Sequence, residues 1–175
     1  MTRKIILLAL IILTFQSCKI VKYKEIYTIY LVRHAEKDLS SDEFGDPDLT
    51  DCGTKRSELL RDFLRDVKLD AIYSTDYLRT KKTALPTARS KELKIQEYAE
   101  RDLEDFSKKL IDAKQDALVV GHSNTTGVLA GLLTDTEIGA FDLDIYDRIY
   151  QVVIFKKKRK LQLLHSVFNC NSVTN

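Results

Sequence analysis

The sequence predicts an α/β layered fold with a largely parallel central sheet. Short β-branched and aromatic runs alternate with stretches of helical periodicity, the order that builds strand–helix–strand units. Two of the three histidines, His34 and His122, directly follow the apolar runs IYLVR and ALVVG. Open α/β sheets form ligand sites at such carboxyl ends of strands. The length of 175 residues suits one domain, and at this size roughly 70% of the unfolded chain's surface is buried, enough for a core without disulfides or metals.

Residues 26–32 (IYTIYLV) read as a buried strand. Residues 33–49 are polar, hold Gly45 and Pro47, and read as a long loop of the kind that is usually functional. Thr50 is placed to N-cap a helix over 51–67, whose Leu59, Leu60, Phe63, Leu64 and Val67 share one face. Residues 69–73 are a second strand, and 76–90 a helix that Pro86 kinks or ends. A short strand over 93–98 precedes a helix over 101–113, with Leu103, Phe106, Leu110 and Ile111 on one side. Residues 117–120 (ALVV) are a core strand, Gly121–Asn124 a strand-to-helix turn, and 125–134 the helix that follows. Residues 135–148 are acidic and irregular. The last two strands, 149–155 and 161–167, are joined by Lys156–Lys160 and are expected to form an antiparallel edge.

The first 18 residues are a different object. Arg3 and Lys4 precede the nine-residue apolar run Ile5–Leu13, and Ser17 precedes Cys18. A basic head, a short apolar stretch and a small residue describe a secretory signal. The run is shorter than the roughly 20 residues that span a membrane, although an uncleaved anchor is the alternative. The ending resembles the lipobox of bacterial lipoproteins, which implies a lipidated Cys18 and a cell-envelope location on the periplasmic side. The expected organisation is a signal at 1–18, a tether at 19–25, the domain at 26–168 and a tail at 169–175.

Hydrophobic residues make up 44% and charged residues 31%, which excludes the profile of a disordered chain. The formal net charge is +2, and the signal segment carries two of the 28 basic residues and none of the 26 acids. The remainder is therefore balanced, with no global signature of nucleic-acid binding. Cys52 and Cys170 remain. An exported domain permits a disulfide, but nothing in the sequence brings the two together, and two free thiols are expected.

Arg33 sits beside His34, and Arg79 lies about one turn into the helix after the second strand. Three strand ends thus present Arg33–His34, Arg79 and His122. Guanidiniums stay charged at any working pH and grip phosphoryl oxygens with paired donors. The Gly121–Ser123 turn adds helix N–H groups that favour an anion. A neutral imidazole can attack phosphorus if an acceptor, such as a backbone carbonyl, holds its other nitrogen. Positioning and charge stabilisation supply most of the acceleration in phosphoryl transfer.

LVRHAEK at 31–37, LTDCG at 49–53, IYSTDYLRTKKTA at 72–84 and VVGHSNT at 119–125 resemble, in order and spacing, the successive blocks of the histidine phosphatase (phosphoglycerate mutase-like) superfamily. The R-H-A-E form is similar to its short, compact members. The resemblance covers residues 26–155. It implies a three-layer α/β/α sandwich, a phosphorylated nucleophile at His34, and phosphoryl binding by Arg33, Arg79 and His122. Ser123 and Asn124 would border the pocket, with no metal and no cofactor. The implied proton donor is an acid after the second arginine. Glu100 and Asp102 are the first candidates, beside Glu97 and Glu104, with Glu36 and Asp38 next to the nucleophile as further ones. Lys37 adds charge at the pocket mouth or is a plain surface lysine. Lys156–Lys160 touches anionic lipid or is a solvated hairpin tip.

The implied partner is a small phosphorylated substrate outside the cytoplasm, with the membrane reached only through Cys18. A catalytically weak phospho-ligand-binding relative and a phosphohistidine phosphatase are the other readings. A mutase is disfavoured because the chain lacks the long insertions that enclose a sugar phosphate. His165 is expected to have no catalytic role.

Overall fold

A computed structural model describes residues 25–40 and 45–170. The signal segment, Cys18 and most of the tether lie outside these residues. Among the described residues there are six strands, β1 (Ile26–Arg33), β2 (Ala71–Ser74), β3 (Ile95–Glu97), β4 (Ala117–Gly121), β5 (Arg148–Phe155) and β6 (Lys158–His165). Among them there are also four helices, α1 (Asp51–Phe63), α2 (Leu78–Lys91), α3 (Leu103–Ala113) and α4 (Thr126–Thr134). The sheet order is β3-β2-β4-β1-β5-β6. Its first four strands run parallel, and β5 and β6 add an antiparallel edge. No helix among the described residues is long and apolar enough to cross a membrane.

Strand alternation divides the core into two layers. Tyr27, Ile29 and Leu31 of β1 face Phe106 and Leu110 of α3 and Leu129, Ala130 and Leu133 of α4. Tyr30 and Val32 face the other way, onto Leu60, Leu64, Ala84 and Ala88 beside α1 and α2. Helices therefore cover both faces of the sheet, as the three-layer reading expects.

Three local expectations are corrected. Helix α1 stops at Phe63, where the Leu64 N–H still bonds Leu60 O at 3.0 Å. Its buried stripe is Gly53, Ser57 and Leu60, while Leu59 and Phe63 are 42% and 50% exposed. The helix lies on the sheet by a narrower face than its apolar residues suggest. Pro86 does not end α2, which continues to Lys91. Thr83, Ala84, Thr87 and Ala88 are buried on either side of it, and this packing offsets the lost backbone hydrogen bond. The final hairpin turns on two residues rather than five, because Lys156 takes a positive φ of 56°, as two-residue turns require. Phe155 then pairs with Lys158, and Lys158–Lys160 belong to β6.

Cys52 and Cys170 form a disulfide across 118 positions, with Cα atoms 5.7 Å apart. This overturns the expectation of two free thiols. The chain after β6 folds back beside α1, where Arg56 donates to Ser166 Oγ (3.2 Å) and to Phe168 O (3.3 Å). Cys170 is thus tied to the domain rather than part of a free tail. The sequence could not show this because the pairing depends on the return path of residues 166–170.

Candidate active site

Strands β1 and β4 are parallel neighbours, with Arg33 in register with Gly121. The His34 N–H donates to Gly121 O at 2.9 Å. The next residue on each strand, His34 and His122, therefore emerges at the same place, with ring centroids 5.4 Å apart. Strand β2 pairs with β4 up to Ser74 and Val120, and the helix after it delivers Arg79. His34, Arg33, Arg79, His122, Ser123 and Asn124 all line one pocket of roughly 440 Å³. Lys37, Tyr77, Glu100 and Leu143 complete its wall.

His34 is 3% exposed. Its Nδ1 lies 2.7 Å from Ala35 O, so the proton sits on Nδ1 and the Nε2 lone pair is free. Burial, chiefly, and the neighbouring Arg33, His122 and Arg79 charges lower its pKa to about 3. The loop carrying it is held from two sides. Thr83 Oγ1 accepts from Ala35 N–H (2.9 Å), and Thr50 N–H donates to Glu36 O (2.9 Å). A Cβ on Gly53 would lie 2.3 Å from Glu36 O, so only glycine lets α1 approach this closely.

His122 Nε2 faces Thr75 Oγ1 at 3.0 Å and Glu100 Oε2 at 3.3 Å. Burial lowers its pKa to about 4, with Arg79 adding to the shift and Glu100 opposing it. Thr125 Oγ1 accepts from the His122 backbone N–H at 2.8 Å and fixes the turn.

Both imidazoles are therefore neutral when folded at pH 5, whereas an exposed histidine with pKa near 6.5 is mostly protonated there. The unfolded chain binds more protons, so stability is lost as pH falls below about 6.5. The expected loss between pH 7 and pH 5 is about 2 kcal/mol per histidine. Urea titrations at the two pH values check this. The His34→Asn, His122→Asn double variant should show a flatter dependence, and an unchanged slope would contradict the assigned protonation.

The arginines are less free than the sequence suggests. Arg33 Nη1 donates to Leu143 O (2.6 Å) and Ile145 O (3.1 Å), and its guanidinium stacks 4.1 Å from the Tyr146 ring. Arg79 Nη1 donates to Asp46 Oδ1 (3.2 Å) and stacks 4.3 Å from Tyr77. One corner of each fork is thus committed to the protein. Each also keeps a buried Nε–H without an acceptor among the described residues, which costs energy until an acceptor arrives. Arg148 Nε is in the same condition outside the pocket, so orphaned donors alone do not mark the site.

The structure separates the candidate acids. Glu100 is in the pocket wall and accepts from Tyr77 OH at 3.1 Å. Asp102 is exposed at the N-cap position of α3 and faces another surface. Glu97 pairs with Lys81 at 2.6 Å, Glu36 is gripped by Arg56, and Asp38 and Glu104 are exposed or half-exposed away from the pocket. Asp46 escaped the sequence reading. Its carboxylate accepts from Leu78 N–H (2.9 and 2.8 Å) and from Arg79, capping α2 from a loop 32 positions earlier. Tyr77 and Tyr146 escaped it too, Tyr77 because nearness to Arg79 in sequence does not reveal stacking and Tyr146 because Arg33 lies far away in the chain.

One cluster among the described residues has metal-ligand proximity: Glu36, Cys52 and Cys170. The disulfide takes both sulfurs, and Arg56 satisfies the carboxylate. His165 lies away from the pocket and pairs with Asp147 at 2.8 Å.

Residues 29–109 match the model of the histidine phosphatase superfamily (branch 1). His122 lies beyond that stretch, and its place in the site rests on the geometry above. The fold is shared with a putative alpha-ribazole-5'-P phosphatase from Escherichia coli str. K-12 substr. MG1655 (17% identity, TM-score 0.66, covering 80% of this chain and 96% of that one). It is shared with the protein histidine phosphatase SixA complexed with tungstate (18%, 0.67, 79% and 96%). A mycobacterial glucosyl-3-phosphoglycerate phosphatase is similar as well (11%, 0.64, 81% and 99%). No curated protein matches the sequence. The family model over residues 29–109, the shared fold and the paired strand-end histidines agree in making this chain similar to the histidine phosphatase superfamily.

Proposed function

We propose that this domain is a metal-independent phosphatase that hydrolyses a small phosphorylated compound through a phosphohistidine on His34. The observation that supports it best is the convergence of two imidazoles and two guanidiniums on one open pocket. His34 Nε2 attacks phosphorus as the bond to the leaving oxygen breaks, and that oxygen takes a proton from Glu100. Water then attacks the phosphorus, the P–N bond breaks, and the Glu100 carboxylate takes the water's proton. Arg33, Arg79 and His122 hold the phosphoryl oxygens while charge redistributes, and the turn at Ser123–Asn124 borders them.

Phosphoramidates are the second reading of the substrate. Glu100 is already engaged by Tyr77 and His122, which favours leaving groups that need little protonation by the enzyme. Two structural neighbours are named for phosphohistidine and alpha-ribazole-5'-phosphate, one substrate of each kind. The same proposal places the enzyme at the cell envelope through a lipid on Cys18, supported by the sequence of residues 1–18.

The test is a reaction stopped in alkaline detergent, run with a labelled aryl phosphate and a labelled phosphoramidate, each with and without a chelator. A base-stable, acid-labile label on His34 is expected, unaffected by the chelator. Turnover without any label on His34 would overturn the mechanism. The faster of the two substrates assigns the class.

A further inference from the structure

The end of the sheet opposite the pocket carries a second charged surface. Strand β1 runs from Ile26 to Arg33, so its start lies roughly 23 Å from the pocket at about 3.3 Å per residue. There Ile26 pairs with Phe155, and Phe155 with Lys158. Ile26 and Phe155 are 57% and 38% exposed. Around this apolar pair stand Lys156, Lys157, Lys158 and Lys160, all exposed. Two acids here are already paired, Glu25 with Lys156 at 4.0 Å and Asp135 with Arg159 at 3.0 Å. Lys157, Lys158 and Lys160 make no ion pair among the described residues.

Lysines on an edge strand discourage pairing with other chains, which accounts for Lys158 and Lys160. It does not account for Lys156 and Lys157, which sit in the turn. A soluble polyanion would explain the charge but not the exposed Ile26–Phe155 pair. The chain leading into this surface points the same way. Residues 19–24 (KIVKYK) alternate lysines with apolar side chains, and the apolar run Ile5–Leu13 lies before them. Six residues reach at most roughly 20 Å, so a lipid on Cys18 would bring this end, not the pocket, to the bilayer.

We propose that the surface formed by Ile26, Phe155 and Lys156–Lys160 docks on an anionic bilayer and holds the pocket away from the lipid. This rests on the envelope-tether reading and extends it from attachment to orientation.

The experiment floats the full chain with phosphatidylcholine vesicles that contain or lack phosphatidylglycerol. Wild type is compared with a Lys156→Glu, Lys157→Glu, Lys158→Glu variant. Wild type should bind both vesicles and prefer the anionic ones. Each lysine near an anionic surface contributes roughly a fivefold preference, so the variant should lose about a hundredfold. The variant should still bind neutral vesicles through its apolar segment and hydrolyse aryl phosphate at the wild-type rate, which shows that it is folded. Equal preference in the two proteins would overturn the docking surface while leaving the tether standing. Failure of wild type to bind either vesicle would overturn the tether and the docking surface together. Charge-dependent retention on heparin without a preference for anionic vesicles would assign the patch to a soluble polyanion and overturn the bilayer. None of these outcomes bears on phosphohistidine formation, which the alkali-stopped reaction reads separately.

Discussion

Replacing His34 by Asn is expected to lower kcat on an aryl phosphate by at least about 10⁴-fold, because losing a covalent nucleophile removes the reaction path itself. Asn keeps a donor that can reach Ala35 O and fills most of the buried volume, so the fold should survive. Steady-state kinetics and far-UV circular dichroism on the same sample check both points. Arg79→Ala is the graded comparison. It removes charge stabilisation but not the nucleophile, and a loss of about 10²- to 10³-fold is expected. Arg79→Lys should recover little, since an ammonium cannot hold Asp46, stack on Tyr77 and meet an anion at once. A His34→Asn enzyme within tenfold of wild type would remove this imidazole from the chemistry.

The largest stability effect should come from the disulfide. A cross-link closing a loop of this length restricts the unfolded chain by about 5 kcal/mol in the loop-entropy picture, and native disulfides typically contribute about 2–5 kcal/mol. Cys52→Ser is expected to lose that amount in denaturant titrations under oxidising conditions. A reductant should bring the wild type down to the same curve. The loss should also reach the pocket. Cys170 Sγ lies 3.0 Å from Glu36 Oε1, and Arg56 joins Glu36 to Ser166 and Phe168. Releasing this strap loosens the residue two positions after the nucleophile. A reduced protein as stable as the oxidised one would show that the cross-link adds nothing beyond the core.

The strand ends were legible because burial and chemistry are written in neighbouring residues. An apolar run followed by Arg-His or Gly-His declares both a core strand and what stands at its tip. The cap at Thr50 was legible for the same local reason, and its hydroxyl accepts from Gly53 N–H at 3.0 Å. The C-terminal end of α1 was not, because tertiary packing decides it. Leu59 and Phe63 look like core residues in the sequence but lie at the rim, beside Phe168. Asp46, Tyr146 and the Cys52–Cys170 pair were hidden because each acts on a partner 30 or more positions away. Choosing Glu100 over Asp102 required the turn after β3, since two residues in an irregular segment can face different surfaces.

The ladder between β1 and β4 separates two things that evolution must handle differently. The two imidazoles are spaced by strand register, with Arg33 opposite Gly121 and a main-chain bond from His34 to Gly121. A slip of one residue would turn one ring to the far side of the sheet, so the reacting pair tolerates almost no drift. The walls come instead from segments outside the sheet, around Lys37 and Leu143. Those segments do not set the spacing of the imidazoles. On the proposed mechanism, substitutions around Lys37 and Leu143 would change what the pocket admits while the ladder keeps both imidazoles in place.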